Sequence, residues 1–232
     1  MRDQWLRLPP LARALLPGLI VAAVSAVAFL ELMDVVVEQD EFVPWDEPLI
    51  AWFADHRVAW LTTVMTVITT VFGPIVLPIL VAVGAGFWRW RSGSWRDPAL
   101  LVGAMIVSTV ITQVAKMAIG RARPSEEVQA VPGLETSFSF PSGHTTGAAT
   151  LVLVTGYLLW RGERSRHVLW WWALASVVVI GIVGLTRMYL GYHFLTDVAA
   201  GACVGLFTLG LVVTVDRLMD LKRGLPPGAQ PA

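Results

Sequence analysis

Lysine is nearly absent from this 232-residue chain, where Lys116 and Lys222 stand against 15 arginines. Charge of either sign is scarce, at 15% of residues against roughly 25% in soluble domains. Seventeen cations balance 17 anions, which removes any bulk electrostatic pull towards nucleic acid. A single cysteine, Cys203, excludes an intrachain disulfide framework and any zinc site built from several thiolates. No internal repeat, low-complexity tract or soluble domain stands out. Apolar residues are abundant: 56% of the chain is hydrophobic and the mean hydropathy is +0.66. That excludes disorder and makes lipid the solvent for most of the chain.

A helix crossing ~30 Å of hydrocarbon needs about 20 apolar residues. Candidate runs lie at 14–36, 61–88, 98–119, 144–160, 168–188 and 194–215. The predicted fold class is all-α: an integral membrane bundle of six transmembrane helices in one domain, 1–223. The Pro- and Gly-rich end, 224–232, is predicted to be a disordered tail. The first run starts too far in, and ends on too many acids, to be a cleaved signal peptide, so it reads as a retained helix.

Orientation follows the cations. Arg2, Arg7, Arg13, Arg89, Arg91, Arg96, Arg161, Arg164, Arg166, Arg217, Lys222 and Arg223 fall on one side, which is 12 of the 17. Both termini are therefore expected in the cytoplasm, and the even span count agrees. Glu38, Asp40, Glu41, Asp46, Glu47 and Asp55 crowd the first loop on the other side. Trp5, Trp88, Trp90, Trp95, Trp160 and Trp170 to Trp172 mark cytoplasmic span ends as an interfacial belt. The segment 38–60 is too charged to span, and Leu49, Ile50, Trp52, Phe53 and Trp60 predict a short anchoring helix in the outer interface.

Charges at membrane depth are costly and mark function. Here they gather at one level: Lys116, Arg121 and Arg123 after span three, His144 at the start of span four, Arg187 closing span five, and His193 and Asp197 opening span six. Lys116, Arg123 and Arg187 suit an anion with several oxygens, because guanidinium forks match phosphate. Ser142 can cap the helix after it, Gly143 lets backbone approach a ligand, and the exposed N–H groups of a helix start add a further anion site. His193 and Asp197, four apart, share a helix face, so Asp197 can fix the tautomer and leave the other nitrogen free to attack. His144 can then act as general acid. A zinc site from His144, His193 and Asp197 is the competing reading, and the surrounding cations oppose it. His56 and His167 lack this setting and read as solvated.

These residues resemble the three motifs of the type 2 phosphatidic acid phosphatase family, the lipid phosphate phosphatases. Lys116-Met-Ala-Ile-Gly-Arg-Ala-Arg123-Pro124 resembles the first, Pro141-Ser-Gly-His144 the second, and Thr186-Arg187 with His193 and Asp197 the third. The third usually opens Ser-Arg; Thr186 keeps the hydroxyl. Arg121 is an extra cation with no assigned role. The resemblance implies a six-helix bundle with its pocket at the outer leaflet of the cell membrane. It implies His193 as nucleophile forming a phosphohistidine, Asp197 orienting it, and His144 as proton donor. Lys116, Arg123, Ser142, Gly143 and Arg187 would hold the phosphoryl oxygens, and no metal or other cofactor is implied. The partners expected are the bilayer and a lipid phosphate: undecaprenyl diphosphate, phosphatidylglycerophosphate or phosphatidate. Two alternatives stand beside this one. The motifs are shared by vanadium-dependent haloperoxidases, which are soluble, and a non-enzymatic lipid-phosphate binding or transport protein would use the same fold. Oligomeric state is not encoded in any of these features.

Overall fold

The computed structural model describes residues 9–38, 45–163 and 165–224. Several predicted features lie outside them: Arg2, Trp5, Arg7, Asp40, Glu41, Arg164 and the tail beyond Gly224. Every regular element among the described residues is helical. In chain order they are α1 (Pro10–Glu38), α2 (Asp46–Asp55), α3 (Ala59–Val71), α4 (Val76–Ser92), α5 (Arg96–Ile119), a 3-10 turn (Glu126–Val128), α6 (Gly143–Glu163), α7 (Arg166–Tyr189) and α8 (Leu195–Lys222).

Four helices, α1, α5, α7 and α8, are long and apolar enough to cross a membrane. Their lipid-facing surfaces carry exposed Leu19, Val27, Val110, Val114, Val177 and Val178, which water would not tolerate in such density. The predicted second span, 61–88, is not one helix. It is broken into α3 and α4, bent by 51° to each other. The cause is Gly73-Pro74: proline has no N–H to donate and glycine weakens the helix on its N-terminal side. Counted as one span, the bent pair makes a fifth. α6 is 21 residues long but less apolar, because Gly143, His144, Thr145, Thr146, Gly147 and Thr150 fill its first turns. It meets α5, α7 and α8 rather than lipid, and ten of its residues are buried.

α1 lies along α8, and α6 and α8 form the centre. Leu101 and Ala104 of α5, Val154, Tyr157 and Leu158 of α6, and Val212 of α8 make the apolar core. At the end of the bundle away from Lys116, the same three helices are locked by charge. Arg96 bonds Asp216 at 2.8 Å and also pairs with Asp220, while Arg161 pairs with both Asp97 and Asp216. The Tyr157 hydroxyl donates to Asp216 at 2.8 Å. Two cations that entered the orientation count, Arg96 and Arg161, are thus buried ion-pair partners.

The short helix α2 was predicted as an anchor in the interface. It has that exposed apolar face in Trp52, yet its other face is inside the protein: Asp46 and Ile50 are each 1% exposed. Ile50 packs with Met188 and Phe194, next to the predicted site.

Candidate active site

Three chain reversals bring the predicted residues together at one end of the bundle. Lys116 stands in the last turn of α5. Gly120, with φ of 65°, ends that helix by donating its N–H to the Lys116 carbonyl at 3.0 Å, a left-handed conformation that favours glycine. The chain then doubles back, and Ser139 N–H donates to the Arg121 carbonyl at 2.9 Å. At the end of α7, the Arg187 carbonyl accepts from Tyr192 N–H at 3.0 Å and His193 N–H at 3.3 Å. That turn sets the Arg187 and His193 side chains beside each other.

His193 is 1% exposed. Its Nε2 lies 3.2 Å from Arg123 Nη1, and its Nδ1 lies 3.3 Å from Asp197 Oδ2 and from Ser139 Oγ. A guanidinium only donates, so Nε2 is the acceptor and the ring proton belongs on Nδ1, facing Asp197. Burial, then Arg187, Arg123 and Lys116, hold His193 well below the usual imidazole range, so the ring is neutral with an available lone pair.

The helix expected to carry both His193 and Asp197 starts too late to do so. His193 and Asp197 do not share a helix face, because α8 begins at Leu195 and His193 lies in the turn before it. Asp197 sits in the first turn of α8, where its Oδ2 accepts the Phe194 N–H at 3.0 Å. The pair meets because the carboxylate caps its own helix and is fixed by that bond, with Ser139 donating to the same oxygen.

His144, the second residue of α6, faces the same cavity and makes no hydrogen bond among the described residues. Gly73, in the break between α3 and α4, lies against it: a Cβ built there would stand 3.6 Å from His144 Nε2. The break between α3 and α4 thus lies in contact with the imidazole. Gly143 lines the cavity as well, but Ser142 does not. The Ser142 hydroxyl is fully buried and accepts from Thr145 Oγ1 at 3.1 Å, bracing the helix start. Thr186 does not face an anion either; its buried hydroxyl donates to the Val183 carbonyl of its own helix at 2.6 Å.

Arg123, Arg187 and Lys116 line the cavity with His193, and Arg123 touches its ring. Lys116 Nζ donates to the carbonyls of Phe138 and Ser139. Arg123 donates to the Ser137 carbonyl at 2.7 Å and the Tyr192 carbonyl at 2.8 Å. Arg187 donates to Thr69 Oγ1 at 2.7 Å and lies 4.8 Å over the Tyr192 ring. Glu135, a residue without any motif signal, occupies the middle. Its carboxylate pairs with Arg187, lies 2.8 Å from Arg123 and 4.0 Å from His193 Nε2. Burial would raise the Glu135 carboxyl; Arg187 and Arg123 outweigh it and bring it down to about 2.

A cavity of about 760 Å³ opens beside these residues. Its lining combines the charged and titratable Lys116, Arg123, Glu135, His144, Arg187 and His193 with the apolar Phe72, Ile75, Leu77, Met105 and Leu134. A phosphorylated head on an apolar tail fits such a two-part lining. Among the described residues, no group of three or more His, Cys, Asp or Glu is arranged to hold a metal ion.

Phosphatidylglycerophosphatase B of Bacillus subtilis (strain 168) is 37% identical over 163 residues, 69% of this chain and 77% of that protein. Undecaprenyl-diphosphatase of Sulfolobus acidocaldarius is 29% identical over 130 residues, 53% of this chain and 57% of that protein. The crystal structure of a transmembrane PAP2-type phosphatidylglycerolphosphate phosphatase from Bacillus subtilis matches over 87% of this chain and 96% of its own, with a TM-score of 0.73 and 29% identity. The model of the PAP2 superfamily matches residues 97–218, a stretch that holds Lys116, Arg123, His144, Arg187, His193 and Asp197 in order. The chain belongs to the PAP2 superfamily.

Proposed function

We propose that the protein is a membrane phosphatase that hydrolyses the phosphate monoester or diphosphate of a lipid. One observation carries this: a buried His193 has Nε2 against Arg123 and Nδ1 against Asp197, with Arg187, Lys116 and His144 lining the same cavity. In this mechanism Nε2 attacks the terminal phosphorus in line and its bond to the leaving oxygen breaks, the ester oxygen of a monoester or the bridging oxygen of a diphosphate. His144 gives its proton to that leaving oxygen. Asp197 stabilises the charge that develops on the phosphorylated ring. Water then attacks the phosphohistidine, His144 takes back a proton, and inorganic phosphate leaves. Lys116, Arg123, Arg187 and the backbone N–H groups at the start of α6 hold the phosphoryl oxygens, where charge accumulates in the transition state. The three cations supply the charge a metal ion would otherwise bring.

The names of the relatives support two substrate classes, phosphatidylglycerophosphate and undecaprenyl diphosphate. We read six spans, with α3 and α4 as one broken span and α6 as the sixth, shielded from lipid by its neighbours. On the cation asymmetry both termini are cytoplasmic and the site opens on the outer side, which favours a diphosphate carrier released there.

The test is phosphate release from a panel of purified lipid phosphates in detergent, with and without EDTA. Release that persists in EDTA and is abolished in His193→Ala and His144→Ala is the expected result. A binding or transport protein would take up the lipids and release no phosphate.

A further inference from the structure

Arg121 and the segment before α3 are two features near the site to which the phosphatase mechanism gives no role. They meet. Arg121 Nη1 donates to Asp197 Oδ1 at 2.6 Å, and its Nη2 donates to Asp46 Oδ2 at 2.8 Å. Asp46 is the first residue of α2 and lies outside the residues matched by the family model. Its carboxylate also takes two bonds from the first turn of α8: Thr196 N–H at 3.2 Å to Oδ1 and Thr196 Oγ1 at 2.5 Å to Oδ2. The guanidinium lies 4.3 Å over the Phe194 ring, which holds it flat between the two acids. Asp46 is 1% exposed and Asp197 is fully buried.

Each oxygen of Asp197 accepts from its own set of donors. Oδ2 serves Phe194, Ser139 and the His193 ring; Oδ1 serves Arg121. The bond to Arg121 therefore fixes the rotation of the carboxylate and aims Oδ2 at Nδ1. A bare guanidinium on Oδ1 would also drain the charge that Asp197 needs to stabilise the phosphorylated ring. Asp46 shares that guanidinium and restores the balance. Buried groups of this kind are costly unless each has its partner, so the triad acts as a unit.

We propose that Asp46 is a positioning residue for the hydrolysis, acting through Arg121 on Asp197. Helix α2 thereby holds the carboxylate behind the nucleophile, in addition to anchoring the chain. This rests on His193 as the attacking group.

The experiment compares Asp46→Asn, Asp46→Glu and wild type for kcat and KM on the lipid phosphate turned over best, in the full-length protein. Asparagine keeps the shape and the fold but loses the charge. Asp46→Asn should lower kcat by about tenfold, in the range typical of groups that orient a reacting side chain, with KM held. Asp46→Glu should recover part of the loss. In an Asp197→Asn background the Asp46→Asn change should cost nothing further, because the group it acts through is already disabled. Wild-type kcat in Asp46→Asn, or the same fold loss in the Asp197→Asn background, would overturn the proposal and leave the phosphatase mechanism standing. Full turnover by His193→Ala would overturn both.

Discussion

Glu135 and Arg123 face each other at 2.8 Å in the middle of the cation cluster, and Arg187 closes on the same carboxylate from the other side. Two of the three groups assigned to phosphate thus hold an anion of the protein's own. A phosphoryl group has to compete with it. The Glu135 carboxyl lies at about 2, so it stays ionised across the physiological range. The depressed value means that its contribution to stability is full above the ordinary 4.5 and fades as pH falls towards 2. Replacing it with glutamine removes the competing charge. Glu135→Gln should bind orthovanadate more tightly by roughly tenfold, equivalent to about 1.4 kcal/mol. Inhibition curves for the two proteins check this; an unchanged or weaker inhibition constant would assign Glu135 to fold alone.

Arg187 is 1% exposed, and its fork is split between Thr69 and Glu135. A lysine carries the charge but not the two-pronged geometry. Arg187→Lys should lower kcat/KM by about a hundredfold, the scale seen when one preorganised donor to a developing charge is lost. Loss of less than about threefold would place the phosphoryl oxygens away from Arg187.

At the opposite end of the bundle, Asp216 is fully buried between Arg96, Arg161 and Tyr157. Removing it takes away the carboxylate that Arg96 and Arg161 share, leaving them Asp220 and Asp97 alone, in a core that joins α5, α6 and α8. Asp216→Ala should destabilise the protein by about 3–5 kcal/mol, the range for breaking a buried ion pair by removing one partner. Unfolding in detergent, followed by loss of helical signal, measures this.

The parts of the site that were legible in the sequence are those carried by short spacings. Lys116 to Arg123, Ser142 to His144 and Arg187 to Asp197 each sit within one turn region, so a linear pattern captures them. The break at Gly73-Pro74 was also written in the chain, but the apolar run on both sides of it read as one span. Asp46 and Glu135 were not legible. Asp46 meets Thr196 across 150 residues, and Glu135 meets Arg187 across 52, both from segments with no periodic signal. Such contacts depend on which helix ends come together, and that is decided by packing of α6 and α8. The helical spacing of His193 and Asp197 suggested the right partnership for the wrong reason. The pair forms because Asp197 reaches back over its helix start, not because both ride one helix.

Sidedness is tested with cysteine labelling. In a Cys203→Ser protein, Glu127→Cys lies in the exposed 3-10 turn beside the site and Gly162→Cys is exposed at the other end of α6. An impermeant thiol reagent on intact cells should label the Glu127→Cys protein and spare the Gly162→Cys protein. The reverse pattern would put the site in the cytoplasm and remove the reason for preferring a diphosphate carrier.

In the proposed mechanism, His193 Nε2 is the atom that bonds to phosphorus. Rapid acid-free quenching of the protein with a lipid phosphate radiolabelled in its phosphoryl group, followed by peptide mapping, locates the label. The predicted result is an acid-labile phosphoryl group on His193, formed as fast as turnover and absent from His193→Ala. Turnover without any phosphorylated intermediate, or a label on His144 instead, would contradict it.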